Sequence, residues 1–167
     1  MIAPIIVTAL LDDASFAWAD GLRRAHFPPE RNVLSAHLTL FHHLPPSLSG
    51  ELDHRLTAVS AGPPLPASAA SLMSLGRGVA FRIDCPGLAT IREDLAEAFE
   101  LVLTPQDRAG WRPHITIQNK VAPEEARKLM DDLRADFRPR PITITGLASW
   151  YYRDGPWEAI GRYTFRG

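Results

Sequence analysis

The chain has 167 residues, 46% of them hydrophobic and 22% charged, with a formal net charge of −1. That length suits one domain with a real core, and the mix excludes disordered and fibrous classes. A near-neutral balance also argues against a protein that coats nucleic-acid backbones, so any such contact is expected to be local.

The first apolar run, residues 2–11, is broken only by Thr8, contains Pro4 and stops at Asp12-Asp13. It has no basic leader and is too short to cross a bilayer, so residues 5–10 are read as a buried strand. Asp12 or Asp13 caps a helix to about residue 25, with Phe16, Ala19, Leu22 and Arg23 at helical spacing. Residues 34–40 read as a strand ended by Pro45-Pro46, and a helix from Ser47 or Ser49 reaches about residue 60, before Gly62-Pro63-Pro64. Residues 71–75 and 79–83 flank Gly76-Arg77-Gly78, a hairpin signal. The order then recurs: a helix over about 88–102, a strand over 114–118 and a helix over 123–137 with Pro123 in its first turn. A second hairpin, 142–152 and 157–165, turns around Arg153-Asp154-Gly155.

The recurrence has an interval. His37 to His114 and Gly78 to Gly155 are both 77 residues apart (114 − 37 and 155 − 78). Residues 1–167 therefore read as a single domain, internally duplicated, in which a helix–strand–helix–hairpin unit occurs twice. Hairpins imply antiparallel sheets, so the expected class is α+β: two pseudo-symmetric lobes of antiparallel sheet, flanked by helices, around a central cleft.

Both copies carry a His-x-Thr-x tetrad, His37-Leu38-Thr39-Leu40 and His114-Ile115-Thr116-Ile117. With six histidines and nine threonines, roughly 0.3 His-x-Thr triplets are expected by chance. Two in matching places of a repeat are a much stronger signal. A strand alternates its faces, so each apolar pair enters a core while each His and Thr faces the opposite way. If the copies face each other, two imidazoles and two hydroxyls meet in one cleft. That set suits a phosphodiester: one neutral His takes a proton, a protonated one gives a proton, and the Thr hydroxyls donate to the non-bridging oxygens. The chemistry requires no metal or cofactor.

Taken over essentially the whole chain, this pattern resembles the 2H phosphoesterases, which include bacterial 2′-5′ RNA ligase-like proteins and RNA 2′,3′-cyclic phosphodiesterases. The second tetrad, within Trp111-Arg112-Pro113-His114-Ile115-Thr116-Ile117, is the most typical of that family. The first is similar but is followed by His42-His43-Leu44-Pro45, where many relatives carry a Phe-Leu-Gly run. The resemblance implies hydrolysis of a 2′,3′-cyclic phosphate or 2′-5′ phosphodiester on a nucleotide or RNA end, with ligation as the reverse reaction. It implies His37 and His114 as the acid/base pair and Thr39 and Thr116 as the phosphate-holding hydroxyls.

Weaker candidates surround these four. Phe41, Trp150, Tyr151, Tyr152 and Trp157 include residues able to stack a base, with Phe41 and Tyr152 preferred; His43, Arg112 and Arg153 are candidate substrate contacts. His37, His42 and His43 could suggest a metal, but adjacent strand residues diverge and no carboxylate is expected nearby, so no metal site is expected. His26 and His54 read as structural or solvated, Arg77 as a turn residue and Cys85 as a small buried residue. No Gly-x-Ser-x-Gly elbow or Gly-rich phosphate loop occurs. One cysteine permits no internal disulfide and suits a reducing compartment; a soluble cytoplasmic monomer with no membrane contact is expected. Two alternatives stay open: a binding module that keeps the cleft without turnover, and a metal-dependent hydrolase.

Overall fold

Seven residues whose only polar side chain is Thr8 make β1 (Ile5–Leu11), buried along most of its length. The computed structural model describes residues 3–167, so Met1 and Ile2 lie outside the described residues. The Asp12 carboxylate accepts the Ser15 N–H and opens α1 (Asp13–His26). Then follow β2 (Leu38–Leu44), α2 (Ser49–Val59), β3 (Leu65–Ser74), β4 (Val79–Asp84), α3 (Pro86–Ala98), α4 (Pro105–Arg108), β5 (His114–Gln118), α5 (Pro123–Asp136), β6 (Arg140–Tyr151) and β7 (Glu158–Thr164).

All strand pairings are antiparallel, and helices flank the sheet, so the class is α+β as expected. The order is β1-β2-β5-β4-β3-β6-β7, and β1 also pairs with β6, which closes six strands into a ring. In the whole sheet β2, β1, β6 and β7 form one group, with β7 outside the ring, and β5, β4 and β3 another. Five residue pairs of β3 with the start of β6 join the groups on one side, and the single pair Leu38↔Ile115 joins them on the other.

The groups do not follow the halves of the sequence. The β3–β4 hairpin, from the first half, supports β5, while β6, from the second, pairs with β1 and carries β7 on its other side. The helices cross in the same way. The buried Arg23 of α1 donates through Nη1 to the Thr116 carbonyl of β5 at 3.0 Å, and the buried Arg92 of α3 donates through Nε to the Leu40 carbonyl of β2 at 3.0 Å.

Three predicted elements need correction: the strand expected over 71–75 is β3, which starts at Leu65 because residues 65–69 pair with β6. The strand expected over 34–40 begins only at Leu38, because its earlier backbone groups bond side chains rather than a neighbouring strand. Arg23 Nε donates to the Leu34 carbonyl (3.0 Å), and the Ala36 N–H donates to Asp20 Oδ1 (2.9 Å). The helix expected over 88–102 starts early, with Pro86 in its first turn, and gives way to a 3-10 turn, Glu100–Val102. The short α4 that follows has no counterpart in the sequence reading. Thr104 caps it by accepting the Asp107 N–H.

Candidate active site

The site is built on the thin seam between β2 and β5. Leu38 and Ile115 are paired there and fully buried, as are Leu40 and Ile117. Alternation then puts His37, Thr39, His114 and Thr116 on the opposite face, all partly exposed. Running antiparallel from the single pair, the register sets His37 toward Thr116 and Thr39 toward His114. The four polar side chains of the two tetrads thus share one face of the sheet.

Both rings are held alike. His37 Nδ1 lies 2.8 Å from the Ser35 carbonyl and His114 Nδ1 lies 2.7 Å from the Arg112 carbonyl, each two residues back. A carbonyl only accepts, so each Nδ1 carries the hydrogen and donates it. Either ring, when neutral, therefore keeps its Nε2 lone pair for other chemistry. Burial is the main force that lowers the His37 pKa, to about 4; Arg23, His114 and His42 push the same way, and the Ser35 carbonyl opposes them. At neutral pH His37 is an uncharged acceptor.

The backbone behind the tetrads is tied down by residues outside them. Trp111 Nε1 donates to the Thr39 carbonyl at 3.0 Å, and Arg23 does the same for Thr116. Between Thr8↔Thr39 and Val7↔Phe41, β2 carries one extra residue, Leu40; between Ala80↔Thr116 and Val79↔Gln118, β5 carries Ile117. These bulges reverse the alternation at 41 and 118. Phe41 is therefore fully buried beneath the Arg92 guanidinium, 4.2 Å from its ring centroid, and is not available to stack a base. That corrects its candidacy as a substrate contact.

His42 is exposed instead, and the expectation that no carboxylate stands near it is overturned. Asp107, only 1% exposed, accepts the N–H groups of His42 (2.8 Å) and His43 (2.9 Å) and contacts His42 Nδ1 at 3.2 Å. Burial raises the Asp107 pKa, but these hydrogen bonds outweigh it and the net shift is downward. Nothing local to residues 37–43 signals a partner 65 residues away. Among the described residues, no group of three or more His, Cys, Asp or Glu is placed to hold a metal ion.

The remaining candidates lie at the margin. The Arg112 side chain is exposed, and it is the backbone carbonyl of this residue that serves the site. Arg153 bonds Glu158 and lies over the Tyr151 ring, 5.1 Å from its centroid, so its charge is engaged. Tyr152 is exposed just past β6, and His43 is exposed with its backbone tied to Asp107. Trp157 was the less favoured aromatic, yet its ring meets the His37 ring edge-on at 4.8 Å.

Residues 11–156 match the family model of the 2′-5′ RNA ligase superfamily. The chain belongs to that superfamily. No curated protein matches it. Solved structures similar to it over nearly their full length include TT0787 of Thermus thermophilus (TM-score 0.67, 16% identity, 98% of each chain). A protein described as a phosphoesterase is also similar (TM-score 0.63, 17% identity, 99% of each chain). So is LigT of E. coli, solved with 3′-AMP (TM-score 0.61, 18% identity, 100% of each chain). At such identities the likeness establishes the shared α+β fold. In the described part of this superfamily member no helix is long and apolar enough to cross a membrane.

Proposed function

We propose that this chain is a phosphoesterase that hydrolyses 2′,3′-cyclic phosphate or 2′-5′ phosphodiester bonds in nucleotides or RNA ends, with His37 and His114 as the acid/base pair. The carrying observation is the Leu38↔Ile115 register, which sets two similarly held imidazoles and two hydroxyls on one face. Superfamily membership supports it, as do the nucleotides found on the distant relative LigT, which has been solved with 3′-AMP, NADP+ and ATP.

In this reading His37, neutral because it is buried, takes the proton of the attacking water through Nε2. The new P–O bond forms in line with the breaking bond to a ribose oxygen, and His114 gives that oxygen a proton. Thr39 and Thr116 donate hydrogen bonds to the non-bridging oxygens, where charge develops. Binding, orientation and proton transfer are all assigned to side chains, with no metal or cofactor. The same reading takes the chain as one domain built from a duplicated unit, working in a reducing, cytoplasmic setting that suits its lone buried Cys85.

The test is turnover of nucleoside 2′,3′-cyclic phosphates and 2′-5′-linked dinucleotides in EDTA. His37→Ala and His114→Ala should each lower kcat by about 100-fold or more, the usual range for losing a positioned acid or base. Full activity in either variant would refute the mechanism. Abolition by the chelator would point to a metal-dependent hydrolase, and tight nucleotide binding without product to a binding module.

A further inference from the structure

Just past the first tetrad, where the chain leaves the Phe-Leu-Gly run of similar proteins, β2 carries a third imidazole, His42. The extra residue Leu40 makes the step from Thr39 to His42 equal to two strand positions, so both lie on one face about 7 Å apart. Beyond Phe41↔Val7 the pairing resumes at Leu44↔Ile5, so His42 and His43 together stand against Ile6. Ile6 lies two residues from Thr8, the partner of Thr39, and so on the same face. His42 therefore shares the face of the tetrad side chains, with its own side chain 42% exposed.

The register sets its place there. Leu38↔Ile115 brings Thr116 beside His37 and His114 beside Thr39, and His42 comes next along β2, past the Thr39–His114 rung and away from His37. It is still close enough to His37 to oppose protonation of that ring.

The His42 ring is held differently from the catalytic two. Asp107 has a lowered pKa, so at neutral pH it is a carboxylate and only accepts. His42 Nδ1, 3.2 Å from Asp107 Oδ1, therefore donates, and Nε2 is the ring nitrogen left to meet a ligand. Asp107 already accepts the backbone N–H groups of His42 and His43, which any residue but proline would supply, so the imidazole is not needed to satisfy it. Where His37 and His114 rest on neutral carbonyls, His42 rests on a full negative charge, which balances an imidazolium when Nε2 also carries a proton. Such a ring donates a charge-assisted hydrogen bond, and its match is an anion with exposed oxygens.

We infer that His42, held by Asp107, is a subsite for a second phosphate, the one at the 5′ oxygen of the nucleoside whose 2′ or 3′ oxygen His114 protonates. The inference rests on the phosphoesterase reading, in which the leaving oxygen lies on the His114 side. It adds a specificity-determining residue to that reading. Substrates with a 5′ phosphate on the leaving nucleoside engage His42, and nucleoside 2′,3′-cyclic phosphates without one do not.

Calorimetric titration of the full chain with adenosine 3′-monophosphate and with adenosine 3′,5′-bisphosphate isolates the second phosphate. The bisphosphate is expected to bind at least about tenfold more tightly, the scale of one hydrogen bond to a charged group. His42→Ala should bring the two affinities within about threefold, while His42→Lys, which restores a cation, should keep most of the preference. If the His42→Ala chain fails to fold, His42→Asn gives the same reading, since its amide keeps a donor for Asp107 and lacks the outer nitrogen. A merely structural loss would weaken both ligands and leave their ratio. Equal affinities in the unaltered chain, no binding of either ligand, or a folded His42→Ala or His42→Asn variant that keeps the preference would overturn the subsite. Preference without turnover of cyclic phosphates would remove the proposed reaction and leave the subsite standing, and turnover with equal affinities would do the reverse.

Discussion

His37 and His114 are held by the same hydrogen bond in different surroundings, and the difference can be read in solution. If His37 is the base, kcat/KM requires it uncharged in the free enzyme, so the acidic limb of the profile should fall near pH 4 rather than near 6.5. An acidic limb at 6.5 would show that burial does not hold His37 neutral. Asp107 makes a second residue-scale prediction. Asp107→Asn leaves part of a buried set of donors unpaired and should cost about 2–3 kcal/mol at pH 7, measured by denaturant unfolding. Its carboxyl pKa is lowered in the fold, so the stability it contributes is present above the ordinary carboxylate range and lost as pH falls through the lowered value. The gap between wild type and variant should therefore close in acid.

The common face of His37, Thr39, His114 and Thr116 was legible because a strand's period of two declares which side chains share a face. Asp12 was legible as a cap for a similarly local reason. Phe41, Asp107 and Trp157 were not. Phe41 is turned inward by a one-residue bulge that no residue type marks, and Asp107 and Trp157 reach His42 and His37 only through tertiary folding.

At the scale of elements, the site depends on how closely β4 approaches β5. A Cβ on Gly78 would stand 1.9 Å from the Gln118 carbonyl oxygen, a clash with backbone that cannot turn aside. Gly78→Ala should therefore push β4 away from the second tetrad, costing about 1–3 kcal/mol as overpacked sites do and lowering activity with stability. Gly76, at φ +80, supplies the turn that permits the approach. The Gly-Arg-Gly signal predicted a hairpin at this place, and β3 and β4 form it. The sequence could not show which strand the hairpin would lie against, because that is settled by packing between distant segments. The late start of β2 is of the same kind: residues 34–36 have the composition of a strand, but Arg23 and Asp20 claim their backbone groups.

At the scale of the molecule, α+β was readable from two hairpin signals and the helical spacing between them. The arrangement of the halves was not, since a repeat in sequence does not say whether each copy packs on itself or on the other. Here the halves are interwoven, and each tetrad strand is buttressed by a helix from the opposite half through Arg23 or Arg92. A chain divided between residues 85 and 86 would yield two pieces, each with one His-x-Thr strand and without the helix that steadies it. Neither piece should show cooperative unfolding alone, and the two mixed should recover it, a result circular dichroism would record directly. Independent folding of either piece would contradict the interlocked packing. Such a pair of fragments would behave as an obligate two-part device: fused to two other proteins, they would regain structure only where those proteins meet.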